Sequence, residues 1–139
     1  SRLPRAHVEG HPYDMSFSGP KTAVINIVHS AEQRGEEINR ADLAASFSAA
    51  VSDSLVPRTM DCLRELGYDK VAAAGGVAAN SRIRRDFERA AKEAGVKLYV
   101  PPLRLCGDNA AMIGCQGYYE YLAGTRGDSS LNAYATMEL

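Results

Sequence analysis

The residues able to do chemistry gather in two short stretches. One is Ala72-Ala73-Ala74-Gly75-Gly76-Val77-Ala78-Ala79-Asn80-Ser81-Arg82, and the other is Cys106-Gly107-Asp108-Asn109-Ala110-Ala111-Met112-Ile113. Each reads as a turn between a sheet and the start of a helix, where backbone amides and the helix dipole favour phosphate and ribose groups. Gly75 and Gly76 lack side chains, so a ligand can approach the backbone closely; a tight turn without a ligand explains the pair equally well. Asn80 can donate to and accept from a ribose or base edge, and it is also a preferred helix N-cap. Asp108 is a hard oxygen donor for a cation held against phosphates, and it also carries the right charge for a helix N-terminus. No catalytic nucleophile or general base stands out, so the catalytic residues are unknown from sequence.

Two further groups invite a functional reading and resist it. His7-Val8-Glu9-Gly10-His11 has metal-pair spacing, but a solvated linker is the plainer reading, and Glu9 is not adjacent to His7 as a zinc-protease motif requires. Arg82, Arg85, Arg89 and Lys92 recur at helical spacing and could touch nucleic-acid phosphates, although such a row is more often a solvated face.

The elements that must position these residues follow from periodicity. Residues 1–20 show no sustained period and read as a linker or lead-in strand, leaving 21–139 as the folded lobe. Ala23, Val24, Ile27, Val28 and Ala31 predict a helix from Lys21 to Gln33, stopped by Gly35. A long helix is expected from about Asn39 to Leu66, with Leu43, Phe47, Ala50, Val51, Leu55 and Leu63 on one face, kinked or split by Pro57. Lys70 to Ala74 suits a strand buried on both faces. A helix from about Asn80 to Ala94 should bury Ile83, Phe87, Ala90 and Ala94, followed by a strand over 96–100 and a last helix from about Asn109 to Ala123. This order argues α/β with a short parallel sheet. Two strands make a marginal sheet, so the isolated chain is expected to self-associate or to need further strands.

Composition excludes several classes. The 139 residues carry a net charge of -1, with 45% hydrophobic and 24% charged residues, which gives no global basic field for gripping nucleic acid. Three cysteines without a C-x-x-C pair argue for reduced thiols in a cytoplasmic protein. No apolar run reaches the length of a membrane span, so no membrane partner is expected.

Taken in order, Ser16-Phe17-Ser18-Gly19, Lys21-Thr22-Ala23-Val24, Asp42-Leu43-Ala44-Ala45-Ser46-Phe47, the Gly75-Gly76 and Cys106-Gly107-Asp108 stretches and Leu131-Asn132-Ala133 resemble the C-terminal part of the tRNA threonylcarbamoyladenosine synthase (TsaD) family, whose older name is glycoprotease. The resemblance implies a partial lobe of an actin-like ATPase, ribonuclease-H-like fold, helix-rich with a short parallel sheet. It implies transfer of a threonylcarbamoyl group from threonylcarbamoyl-adenylate, itself derived from ATP, to the exocyclic amine of an adenosine in tRNA. By the motif match Gly75 and Gly76 fall on nucleotide-proximal glycines, Asn80 on a substrate-binding Asn and Asp108 on a ligand of one divalent metal ion, with iron favoured over zinc or magnesium. Paralogous and ATPase partner proteins are implied as well. Pro20 stands where Leu is usual in the family and Gly107 where Thr is. The family's upstream lobe, with its phosphate-binding segment and metal-binding histidines, precedes the region seen here, so the isolated chain is expected to be inactive. The alternatives are a metalloendopeptidase acting on O-sialoglycoproteins, as the older name suggests, or a non-catalytic nucleotide-binding fragment.

Overall fold

A computed structural model of the protein describes residues 3–4, 10 and 13–133. Residues 1–107 and 108–139 form two compact units.

In the first unit, helix α1 spans Ser18–Arg34 and helix α2 spans Arg40–Leu66. Of residues 1–20, read as a linker or lead-in strand, the described ones hold no strand, and 18–20 already belong to α1. Pro20 sits in the first helical turn, where the amide it lacks would have no intrahelical partner, and its ring is fully buried. The segment before α1 is tied to α2 as well: the Tyr13 hydroxyl donates to the Glu65 carboxylate, and Arg58 Nη1 donates to the Asp14 carbonyl at 2.8 Å. The bond to Glu65 is the main reason the Tyr13 phenol is pushed up from 10.0 to about 12.

Asn39 caps α2, its side-chain oxygen accepting from the amides of Ala41 and Asp42 at 3.1 and 3.2 Å. Contrary to the expectation from Pro57, α2 is one continuous helix. Proline removes one ladder bond, but Val56, Met60 and Leu63 on both sides of it are buried in one apolar cluster, so packing keeps the helix from splitting in two. Hydroxyls flank the site: Ser54 donates to the Ala50 carbonyl at 2.7 Å and Thr59 to the Leu55 carbonyl at 2.9 Å.

Helix α2 ends at Gly67, whose φ of 72° lets the Tyr68 amide turn back to the Leu63 carbonyl at 2.9 Å. Strand β1 (Lys70–Ala72), helix α3 (Ser81–Ala94) and strand β2 (Lys97–Tyr99) then form a β-α-β unit with the strands parallel, Val71 paired with Leu98. Ile83 and Phe87 of α3 complete the core with the α2 residues, and Val71, Val96 and Leu98 pack against it. The strand expected to be buried on both faces is buried on neither side fully. Val71 and Leu98 are half-buried toward the core, whereas Lys70, Ala72, Lys97 and Tyr99 are exposed, because among the described residues only one layer of helices covers the sheet. Ala94, also expected in the core, is exposed; Ala91 takes that place.

The second unit holds helix α4 (Ala110–Leu122), which buries no residue. No helix of the described residues is long and apolar enough to cross a membrane.

Candidate functional site

The chain leaves β1 through Ala73, whose amide donates to the Tyr99 carbonyl at 2.9 Å, and reaches Gly75. Gly75 has φ 86° and ψ 173°, a conformation open essentially to glycine alone. A single 3₁₀ turn over Gly76–Ala79 follows, closed by the Ala78 amide on the Gly75 carbonyl at 3.0 Å, and α3 starts at Ser81. The two glycines therefore differ. Gly75 is required by its backbone angles, whereas Gly76 has no positive φ, and a Cβ added there would meet nothing within 4 Å. Its missing side chain leaves open space at the carboxyl end of β1.

Asn80 is the N-cap of α3, its Oδ1 accepting from the Arg82 amide at 3.0 Å and the Ile83 amide at 3.2 Å. Those bonds fix the orientation of the carboxamide, since only the oxygen can accept. Capping thus consumes the acceptor and leaves the exposed Nδ2 as a donor, which narrows the sequence reading of Asn80 to recognition of an acceptor. The first turn of α3 contains no acidic residue. It offers a helix N-terminus with no carboxylate of its own to satisfy the dipole.

Gly75, Gly76 and Asn80 share one turn of the first unit, and Asp108 opens the second. The capping reading of Asp108 does not hold, because Asn109 is the cap of α4 and accepts from the Met112 amide at 3.0 Å. Asp108 is exposed. Among the described residues no three His, Cys, Asp or Glu side chains gather as a metal-ion group. Asp108 is a carboxylate that suits a hard cation, but one oxygen donor does not by itself complete a metal site. His7 and His11 lie outside the described residues.

The arginine row is not a uniform face. Arg82 and Arg89 pair with Asp86 at 3.3 and 3.2 Å, and Asp86 is buried. The Ser52 hydroxyl donates to the same carboxylate at 2.7 Å, joining α2 to α3. That hydrogen bond is the main cause holding the Asp86 carboxyl below its ordinary value; burial opposes it, and the charges of Arg82, Arg89 and Arg85 add to it. An open groove of about 440 Å³ runs beside this joint, lined among others by Ser52, Met60, Asp86, Arg89 and Glu93, and none of the four candidate residues lines it. Sequence reasoning also passed over Arg84, although it stands one helical turn after Asn80.

Comparison with known proteins now bears on this turn. The family model described as TsaD, tRNA N6-adenosine threonylcarbamoyltransferase, matches residues 1–115, and the chain belongs to that family. It is 49% identical over 137 residues to the tRNA N6-adenosine threonylcarbamoyltransferase of Moorella thermoacetica, covering 99% of this chain and 40% of that protein. It is 46% identical over 138 residues to the protein of the same name from Clostridium botulinum strain 657, covering 99% of this chain and 41% of the relative. The protein of that name from Limosilactobacillus fermentum is 50% identical over 133 residues, with coverage of 94% and 39%. The chain thus spans about two fifths of the length of these relatives.

Proposed function

We propose that this chain is the nucleotide-seating part of a tRNA-modifying acyltransferase, moving a threonylcarbamoyl group from threonylcarbamoyl-adenylate to the exocyclic amine of an adenosine in tRNA. The observation that carries the reading is the family match across residues 1–115, which includes an open glycine turn at the end of a parallel strand. Ligands in open α/β sheets bind at this end of the strands. Under this reading the lobe belongs to an actin-like, ribonuclease-H-like fold in the cytoplasm, working with ATPase and paralogous partner proteins. Gly76 gives room for the adenylate against the backbone, Asn80 Nδ2 donates to a ribose or phosphate oxygen, and the N-terminus of α3 favours the phosphate charge. Asp108 supplies one oxygen to a divalent ion whose remaining ligands lie beyond the described residues.

Gly76→Ala and Gly75→Ala separate binding from folding. In the full-length protein Gly76→Ala is expected to weaken adenine-nucleotide binding tenfold or more while the melting temperature stays put, because the added methyl meets no protein atom. Gly75→Ala should instead cost about 1–3 kcal/mol of stability through backbone strain. Wild-type nucleotide binding and transfer in Gly76→Ala would overturn the proposed seat.

A further inference from the structure

We infer that Arg84 is a positioning residue that sets the Asn80 turn in register with the segment leading to Asp108. Its backbone amide donates to the Asn80 carbonyl at 3.0 Å, in the first turn of α3. Its side chain reaches the loop that follows β2, at the same carboxyl end of the parallel strands, where Nη2 donates to the Pro101 carbonyl at 3.0 Å and to Cys106 Sγ at 3.4 Å. One residue therefore touches both chemistry-bearing stretches.

The receiving end is built to hold it. Cys106 is buried, and its thiol, itself accepting from Arg84, can donate to the carbonyls of Pro101 at 3.8 Å and Pro102 at 3.7 Å. The loop itself is a single 3₁₀ turn over Leu103–Leu105, all exposed, so nothing apolar pins it from outside. Arg84 is half-buried and, unlike its neighbours Arg82 and Arg89, has no carboxylate partner among the described residues. Its Nε is buried without a hydrogen-bond partner. An uncompensated guanidinium held against neutral acceptors is costly unless its geometry is needed, and its planar fork can serve two acceptors where an ammonium is a point charge.

The role of this clamp in catalysis rests on the proposed function, whereas the clamp itself does not, and the test keeps the two apart. In the full-length protein the alkylation rate of Cys106 is followed by peptide mass spectrometry, with exposed Cys115 as the internal standard. Arg84→Ala should raise the Cys106 rate roughly tenfold or more at constant Cys115 rate, since loss of a charged donor frees local opening. Arg84→Lys, which keeps the charge and is the fallback if the alanine variant does not fold, should give a smaller rise. ATP added to the wild type should slow Cys106 labelling, and Arg84→Ala should lose that protection. Labelling unchanged in both variants overturns the clamp. A raised rate with no protection by ATP in the wild type upholds the clamp and counts against the nucleotide seat.

Discussion

Helices α3 and α4 begin alike and end up in opposite surroundings. Each follows a glycine-containing turn, each is capped by an asparagine whose oxygen accepts helix amides, and neither has an acidic residue in its first turn. Yet α3 buries Ile83, Asp86, Phe87 and Ala91, while α4, with Met112, Ile113, Tyr118, Tyr119, Tyr121 and Leu122, buries nothing. The comparison teaches that local signals fix where a helix starts, and only the partners that tertiary structure supplies decide which side chains leave water. The less apolar helix is the buried one because α2 and the sheet lie against it.

The contrast is sharpest in the core. Phe87→Ala should cost about 3–5 kcal/mol, since the cavity opens between α2, α3 and the sheet, whereas Ile113→Ala on α4 should stay within about 0.5 kcal/mol. Urea denaturation of the two variants checks this; equal losses would mean that α4 has a packing partner of its own.

A second difference is electrical. Asp86 ties α3 to α2, and its carboxyl sits below the ordinary 3.8 because of Ser52 first and the arginines after. A depressed carboxylate adds stability that is in place above pH 3.8 and is lost as pH falls through the lowered value. Asp86→Asn should cost about 1–3 kcal/mol at neutral pH, and the gap to wild type should narrow on acidification. Stability curves from neutral pH down to about pH 2.5 read the effect. A gap that stays constant would remove the charge from the explanation.

The smallest effects distinguish the helix starts themselves. Asn80→Ala and Asn109→Ala should each cost about 1 kcal/mol, while Asp108→Ala, which caps nothing, should be near neutral in thermal melts. A loss at Asp108 equal to that at Asn109 would restore its capping role and weaken its reading as a ligand.

Much of this architecture was legible in the residues. The glycines at 35, 67 and 95 stop helices where periodicity says they end, and Asn80 lies at the start of α3 as its position before an amphipathic run requires. What escaped was non-local. Asp86 reads as solvent-facing until Ser52, 34 positions away, meets it across the α2–α3 joint. Pro57 reads as a break until burial on both sides outweighs one missing amide. The five alanines of 72–74 and 78–79 with Val71 and Val77 look uniformly apolar, yet alternation across a sheet covered on one side leaves half of the strand in water. Of the candidate site, the turn could be read because glycine and asparagine have few local uses; the spanning role of Arg84 could not, because its acceptors belong to a loop that follows the next strand.

The register of the sheet has one more consequence. Lys70 stands directly opposite Lys97 on the uncovered face, with Lys97 also resting over the Tyr99 ring at 5.1 Å. Like charges side by side weaken a two-stranded ladder, but they also make its surface a poor template for a third strand from another molecule. Whatever opposition the two ammonium groups offer to such pairing is ionic, strongest in dilute buffer and fading as salt shortens the screening length to about 3 Å near 1 M.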